Sequence, residues 1–453
     1  MRKEYDSMGE VLVEDDKMWM AQTQRSLNNF NIGKEKMPIK IIYAICSLKR
    51  AAALANFSKG RLNLEEKDAI VSACDEILEG KYDIQFPLSL WQTGSGTQTN
   101  MNVNEVISFI AKKIYKVKLH PNDHVNKSQS TNDVFPSAIH LAAYREISEK
   151  LLPVLDKLIE SFREKEDKYK DVVKLGRTHL QDATPLSVGA EISAWKYSLE
   201  MVKEEIVLST DYLLNLAIGG TAVGSGINSF EGYDEELVRN LNEFTGYNFS
   251  PSKNKYFSLS SKNEVQFVHN SLKLLATELL KIGNDIRWLA SGPRSGIGEY
   301  IIPSNEPGSS IMPGKVNPTQ VEALSMVAAR IFGNDTMIDF SASQGNFQLN
   351  VYMPLIAYTI LNSIELLSDV MDSFRRNLVE GIKINEDRIN YNLENSLMTV
   401  TALNPIIGYE NSAKLAKYAH ENGLSLFEAN RELKLLGDDE LKKAMDYKKM
   451  AGI

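Results

Sequence analysis

The sequence predicts a mainly α-helical fold: a long central helical bundle flanked by smaller N- and C-terminal domains. Three observations carry this expectation. Apolar residues recur at helical spacing over long stretches in the middle of the 453-residue chain. The segments that interrupt those stretches are rich in Gly, Pro and small polar residues, not in the alternating runs of strands. Towards the end the chain turns polar, with Lys and Glu interspersed. We place the boundaries at 1–130, 131–388 and 389–453.

In chain order, the first region mixes short helices with loops containing Gly94, Gly96, Pro121 and Asn122. The central region opens with a stripe through Ile147, Leu151, Val154, Leu158 and Phe162, with Pro153 as a kink. A second stripe runs through Val268, Leu272, Leu275, Leu279, Ile282 and Ile286. A third runs through Ile356, Ile360, Ile364, Leu367, Met371 and Phe374. Steps of three and four residues sustained this way face other helices and suit near-parallel bundle packing. Leu274 and Leu280 lie beside the second stripe, so that helix is apolar on more than one side. A helix wet on its outer face would not carry them, and burial against further subunits predicts an oligomer. The C-terminal region reads as short polar helices.

Bulk properties exclude several classes. A net charge of −8 argues against a nucleic-acid partner, which asks for a basic face. It also means that local positive groups must draw in any anionic substrate. Cys46 and Cys74 sit in no CxxC pair, and two buried thiols in a reducing compartment are expected. The N-terminus from Met1 to Asp6 has no apolar signal core, and no apolar run approaches the ~20 residues of a membrane span. No membrane partner and a cytoplasmic location are therefore expected.

Four polar segments break the helical background: Gln92–Asn100, His120–Pro136, Gly176–Pro185 and Gly308–Pro318. Together they offer Ser, Thr and Asn side chains, N–H groups freed by glycine, His179 and Lys315. That inventory suits a small molecule with several carboxylate oxygens. Carboxylates are sparse among these loops, so no metal and no cofactor are expected. Taken singly, Gly94–Thr97 reads as a turn or helix cap, Ser130–Asp133 as a cap, and His179 equally as a structural histidine. Gly219–Gly224 lacks the phosphate-loop pattern. Four such segments in one chain shift the balance towards a site.

Their wording resembles one family. "GSSIMPGKVNP" at 308–318 is similar to the signature loop of the fumarase/aspartase superfamily. "AQTQRS", "QTGSGTQTNMN", "HPNDHVNKSQSTND", "GRTHLQDATP" and "NPIIGY" resemble its other regions over nearly the whole chain. The combination resembles class II fumarase. His179 stands where aspartases usually carry Gln, and Gly314 where they usually carry Ala. Ser95 and Thr99 also read as fumarase. Thr131 stands where fumarases often carry Ser, and Val117-Lys118 where some carry an Arg before His120.

The resemblance implies reversible hydration of fumarate to L-malate, a tricarboxylic acid cycle step, by metal-independent anti addition through a carbanion/aci-carboxylate. It assigns the catalytic base to Ser309, with Gly308, Gly314, Lys315 and the helix starting near Thr319 favouring its anion. His179, with Glu322 as partner, handles the proton of the water. Substrate carboxylates fall to Ser95, Gly96, Thr97, Ser130, Thr131, Asn132, Thr178, Ser310, Lys315, Val316 and Asn317, and an accessory anion site to His120, Pro121, Asn122 and Asp123. It further implies a homotetramer with a shared multi-helix core and active sites drawing loops from three chains. Two alternatives stay open: an aspartate ammonia-lyase on the same scaffold, and a non-catalytic structural homologue.

Overall fold

A computed structural model describes residues 1–453. Four long helices dominate it: Val188–Thr210, Asn263–Leu289, Thr319–Ser343 and Met353–Asn377, of 23 to 27 residues each. At 1.5 Å per residue, the longest spans about 40 Å. The predicted stripes are their buried faces. Val268, Leu272, Leu275, Leu279, Ile282 and Ile286 are buried, as are Ile356, Ile360, Ile364, Leu367, Met371 and Phe374. Strands are few, and all lie in two-stranded pairs.

The Ile147 stripe departs from expectation by one step. Ile147–Leu151 forms a π-turn, and the α-helix resumes as Leu152–Lys168. The wide turn inserts one residue, so Leu155 takes the buried position and Val154 is left half-buried. A π-turn at this point also suits Pro153, whose nitrogen cannot donate to a regular turn. Leu158 and Phe162 are buried as predicted.

Contacts divide the chain into two compact units. The first comprises 1–153, 204–274 and 329–368; the second comprises 154–203, 275–328 and 369–453. Each of the four long helices contributes to both.

In the first unit, the Arg2–Asp6 and Gly9–Val13 strands form an antiparallel hairpin. Ile39–Ser58 follows as a 20-residue helix, longer than the short helices expected there. Almost all of its faces are buried, so the helix lacks the one-sided period by which it could be read. Cys46, on this helix, and Cys74, on Leu64–Leu78, are free and buried. Among the long helices His269 is fully buried, its Nδ1 2.9 Å from Asp335 Oδ1 and its Nε2 2.9 Å from Ser363 Oγ. A polar cluster satisfied on both sides of the ring favours one helix register over its neighbours.

In the second unit, Val173–Thr178 and Gln181–Ser187 pair as an antiparallel hairpin, where the sequence suggested a loop. From residue 400 on, short helices gather around a small core of their own, including Leu403, Leu415, Ala419, Leu426, Ala429 and Leu441. No helix is long and apolar enough to cross a membrane.

Candidate functional site

The predicted site residues fall into two groups. In the first unit, Gln92–Asn100 turns into the Thr97–Ile110 helix through Gly96, whose φ is +76°. A Cβ there would meet the Phe135 ring at 2.3 Å, so this close approach admits only glycine. Ser95 Oγ lies 2.7 Å from Thr97 Oγ1, and Gly94 O accepts from the Met353 N–H. Thr99 donates from N and Oγ1 to Gln92 Oε1, closing the segment on itself.

Ser130 caps the Thr131–Glu146 helix. Its Oγ accepts from Asn132 N–H, and its own N–H donates to Asp133 Oδ1 at 3.0 Å. The cap expected for this stretch in isolation is thus formed. Thr131 Oγ1 is buried and accepts from Asn100 Nδ2, and Asn132 Nδ2 donates to Ala222 O. Asp133 is a residue the sequence reading did not single out. Its Oδ2 accepts from the N–H groups of Gly219 and Thr221, so it clamps the Gly219–Gly224 stretch to the start of the Thr131–Glu146 helix. Burial pushes its carboxyl up to about 6 against those three N–H bonds and nearby Lys49. Lys49, fully buried and donating to Asn126 Oδ1 at 2.7 Å, is lowered to about 7 by the same loss of water. The signal that could have found Asp133 is the S-x-x-D capping-box pattern.

His120, Pro121, Asn122 and Asp123 lie together on a π-turn, Pro121–Val125. His120 Nδ1 accepts from Asp123 N–H, and both side chains are exposed.

In the second unit, His179 and Leu180 are the two central residues of the hairpin turn, both at positive φ (+56° and +61°). Such a turn matches strand twist but normally recruits Asn and Gly. His tolerates the left-handed region better than most residues and Leu does not, so strain is stored at the tip that presents His179. Thr178 and His179 are exposed at this tip.

Gly308–Pro318 is irregular, as its composition predicts, and is followed by the Thr319–Ser343 helix. The loop is pinned at its base. Gly308 N–H donates to Lys315 O, and Asn317 Nδ2 donates to Gly308 O at 2.6 Å. A Cβ on Gly308 would stand 2.3 Å from Lys315 O, so the closure requires glycine. Ser309 Oγ accepts from the N–H groups of Ile311 (3.2 Å) and Met312 (3.1 Å). Ser310, Lys315 and Val316 are exposed, as are the apolar Ile311 and Met312. Glu322 is exposed in the first turn of the following helix, and no hydrogen bond or ion pair joins it to His179 within the chain.

Beneath the hairpin lies a buried cluster that the sequence reading also missed. Arg177 donates to both oxygens of Glu299, at 2.6 and 3.0 Å, and Lys174 Nζ lies 3.2 Å from the same carboxylate. Burial raises the Glu299 carboxyl, but Arg177, Lys174 and Asn392 outweigh it and the net shift is downward.

A family model described as "Lyase" matches residues 9–333, and one described as "Fumarase C C-terminus" matches 400–452. The class II fumarate hydratase of Bacillus subtilis (strain 168) is 56% identical over 444 residues, covering 97% of this chain and 96% of that protein. That of Helicobacter pylori (strain J99) is 53% identical, covering 100% of this chain and 99% of the relative. The crystal structure of class II fumarase from Schistosoma mansoni superposes with a TM-score of 0.96 at 41% identity, covering 99% of both chains.

Proposed function

This chain belongs to the class II fumarate hydratases, lyases of the fumarase/aspartase superfamily, and from that premise we propose how its residues interconvert fumarate and L-malate. The observation that carries the mechanism is the pair of backbone N–H groups on Ser309 Oγ.

Malate loses a proton from C3, a very weak acid beside a carboxylate. Ser309, as its alkoxide, takes that proton. The two N–H groups that donate to the neutral hydroxyl stabilise the anion more strongly, because charge-assisted bonds are the stronger ones. Lys315 and the N-terminal end of the Thr319–Ser343 helix add positive potential. The electron pair left on C3 spreads into the adjacent carboxylate as an aci-carboxylate, then expels hydroxide from C2. A proton delivered through a water held by His179 makes that hydroxide a water molecule. Glu322, from another copy of the chain, raises the basicity of the imidazole.

Thr97, Ser130, Asn132, Thr178, Lys315 and Asn317 hold the substrate carboxylates, with Ser95, Gly96, Thr131, Ser310 and Val316 alongside. Asn317 does so while its amide nitrogen ties the loop base. His120, Pro121, Asn122 and Asp123 form an accessory anion site. The chemistry needs no metal, since N–H groups and an ammonium meet the developing charge.

We further propose a homotetramer with a shared helical core. Tyr197, Met201 and Leu208, then Leu274 and Trp288, then Met326 and Phe340 all stand exposed on the long helices. Such apolar surface on a single chain marks a covered face. We place the enzyme in the cytoplasm, in the tricarboxylic acid cycle, and keep 1–130, 131–388 and 389–453 as its working regions.

The test is the ultraviolet absorbance of fumarate after mixing the protein with L-malate or L-aspartate, with EDTA present. Fumarate is expected from malate alone. Product only from aspartate, or no product until metal is restored, overturns the reading.

A further inference from the structure

The mechanism leaves one buried cluster without a task. Glu299 is wholly buried and Lys174 nearly so. Lys174 contacts Glu191 at 2.8 Å as well as Glu299, and Tyr300 OH donates to Glu191 at 2.8 Å. With Arg177, two cations and two carboxylates form a closed, neutral quartet. Removing one member of such a cluster leaves a buried charge unmatched, so its geometry is strongly held.

The position of this quartet matters more than its stability. Arg177 stands two residues before His179 on the hairpin strand. Its guanidinium is held at two points by the Glu299 carboxylate, which fixes orientation as well as distance. Glu299 is also the residue before the short Tyr300–Ile301 strand, from which the chain runs to Ser309. That stem is pinned by backbone bonds: Glu299 N–H donates to Leu289 O, Asn385 N–H donates to Glu299 O, and Ile301 pairs with Lys383. Asn392 Nδ2 adds a bond to Glu299 Oε1. One residue therefore holds the hairpin through its side chain and the loop stem through its backbone.

We propose that Glu299 is a positioning residue serving both proton-handling elements, the His179 hairpin tip and the stem of the Ser309 loop. This rests on the reading above, in which those two side chains move the protons. Displacement of either by about 1 Å costs roughly 10²-fold in rate, so the loss falls on kcat more than on KM.

The experiment compares Glu299→Gln, Glu299→Asp and Arg177→Lys in the assembled enzyme, with His179→Asn alongside. It measures kcat, KM, exchange of the malate C3 hydrogen with heavy water, and melting temperature. Glu299→Gln is expected to lower kcat about 10²-fold per folded protein, with KM moving a few-fold and C3 exchange falling in step. Glu299→Asp should recover part of the loss. Arg177→Lys, which keeps the charge but not the two-point grip, should lower kcat about tenfold without lowering the melting temperature. If Glu299→Gln does not fold, Arg177→Lys decides alone, and wild-type kcat in it overturns the proposal. So does wild-type kcat in folded Glu299→Gln, or loss of turnover with C3 exchange at the wild-type rate. If His179→Asn is fully active, the site reading itself falls and the inference with it. If His179→Asn is inactive and Glu299→Gln is not, only the inference falls.

Discussion

Ser309, the proposed base, accepts at its Oγ from the N–H groups of Ile311 and Met312. Gly308, Gly314 and Lys315 around it could be read from the loop's wording, but not the two N–H groups that reach its Oγ, because backbone direction inside an irregular loop has no sequence period. Ser309→Ala is expected to lower kcat by roughly 10²–10⁴, the range for a lost proton-transfer group, with the melting temperature unchanged. Lys315→Ala should raise KM and lower kcat together, since the ammonium meets both the bound carboxylate and the charge that develops on it; steady-state kinetics separates the two effects. Glu299 lay beyond sequence reading for a plain reason. Its partner Arg177 is 122 residues away, and nothing local marks a carboxylate destined for burial.

Whole elements were legible where one face is buried. The stripes through Val268 and Ile356 announced their helices because within the single chain only one side of each is buried. Ile39–Ser58 was read as shorter pieces because burial on almost all sides erases the period. The His179 hairpin was read as a loop, since its turn uses His-Leu where a type I′ turn normally shows Asn-Gly. Two predictions belong to this scale. Gly96→Ala puts a methyl 2.3 Å from the Phe135 ring at positive φ, which should cost about 1–3 kcal/mol in urea unfolding. Asp133→Asn tests the clamp on the Gly219–Gly224 stretch. Burial raises this carboxyl to about 6, above its unfolded value of 3.8. Its contribution to stability is therefore full below 3.8 and lost as pH rises through about 6. The Asn variant should lose that decline between pH 4 and 6, visible as a flatter unfolding free energy against pH.

For the whole molecule, the fold class followed from a few stripes, and the helices apolar on a second side pointed to assembly. Leu274, predicted to need a partner, stands exposed on the single chain. In the proposed tetramer, the order in which loops from different copies meet is not written in any local pattern, because it depends on the rotation between subunits. The central claim is that His179 and Ser309 act together in sites assembled from different copies of the chain. Subunit mixing tests it most directly. His179→Asn and Ser309→Ala enzymes, each inactive alone, are dissociated together, reassembled in equal amounts and assayed with L-malate. Independent draw of the two chains predicts recovery of roughly a quarter of wild-type activity. Mixed tetramers, verified by mass, that stay as inactive as their parents would contradict the account.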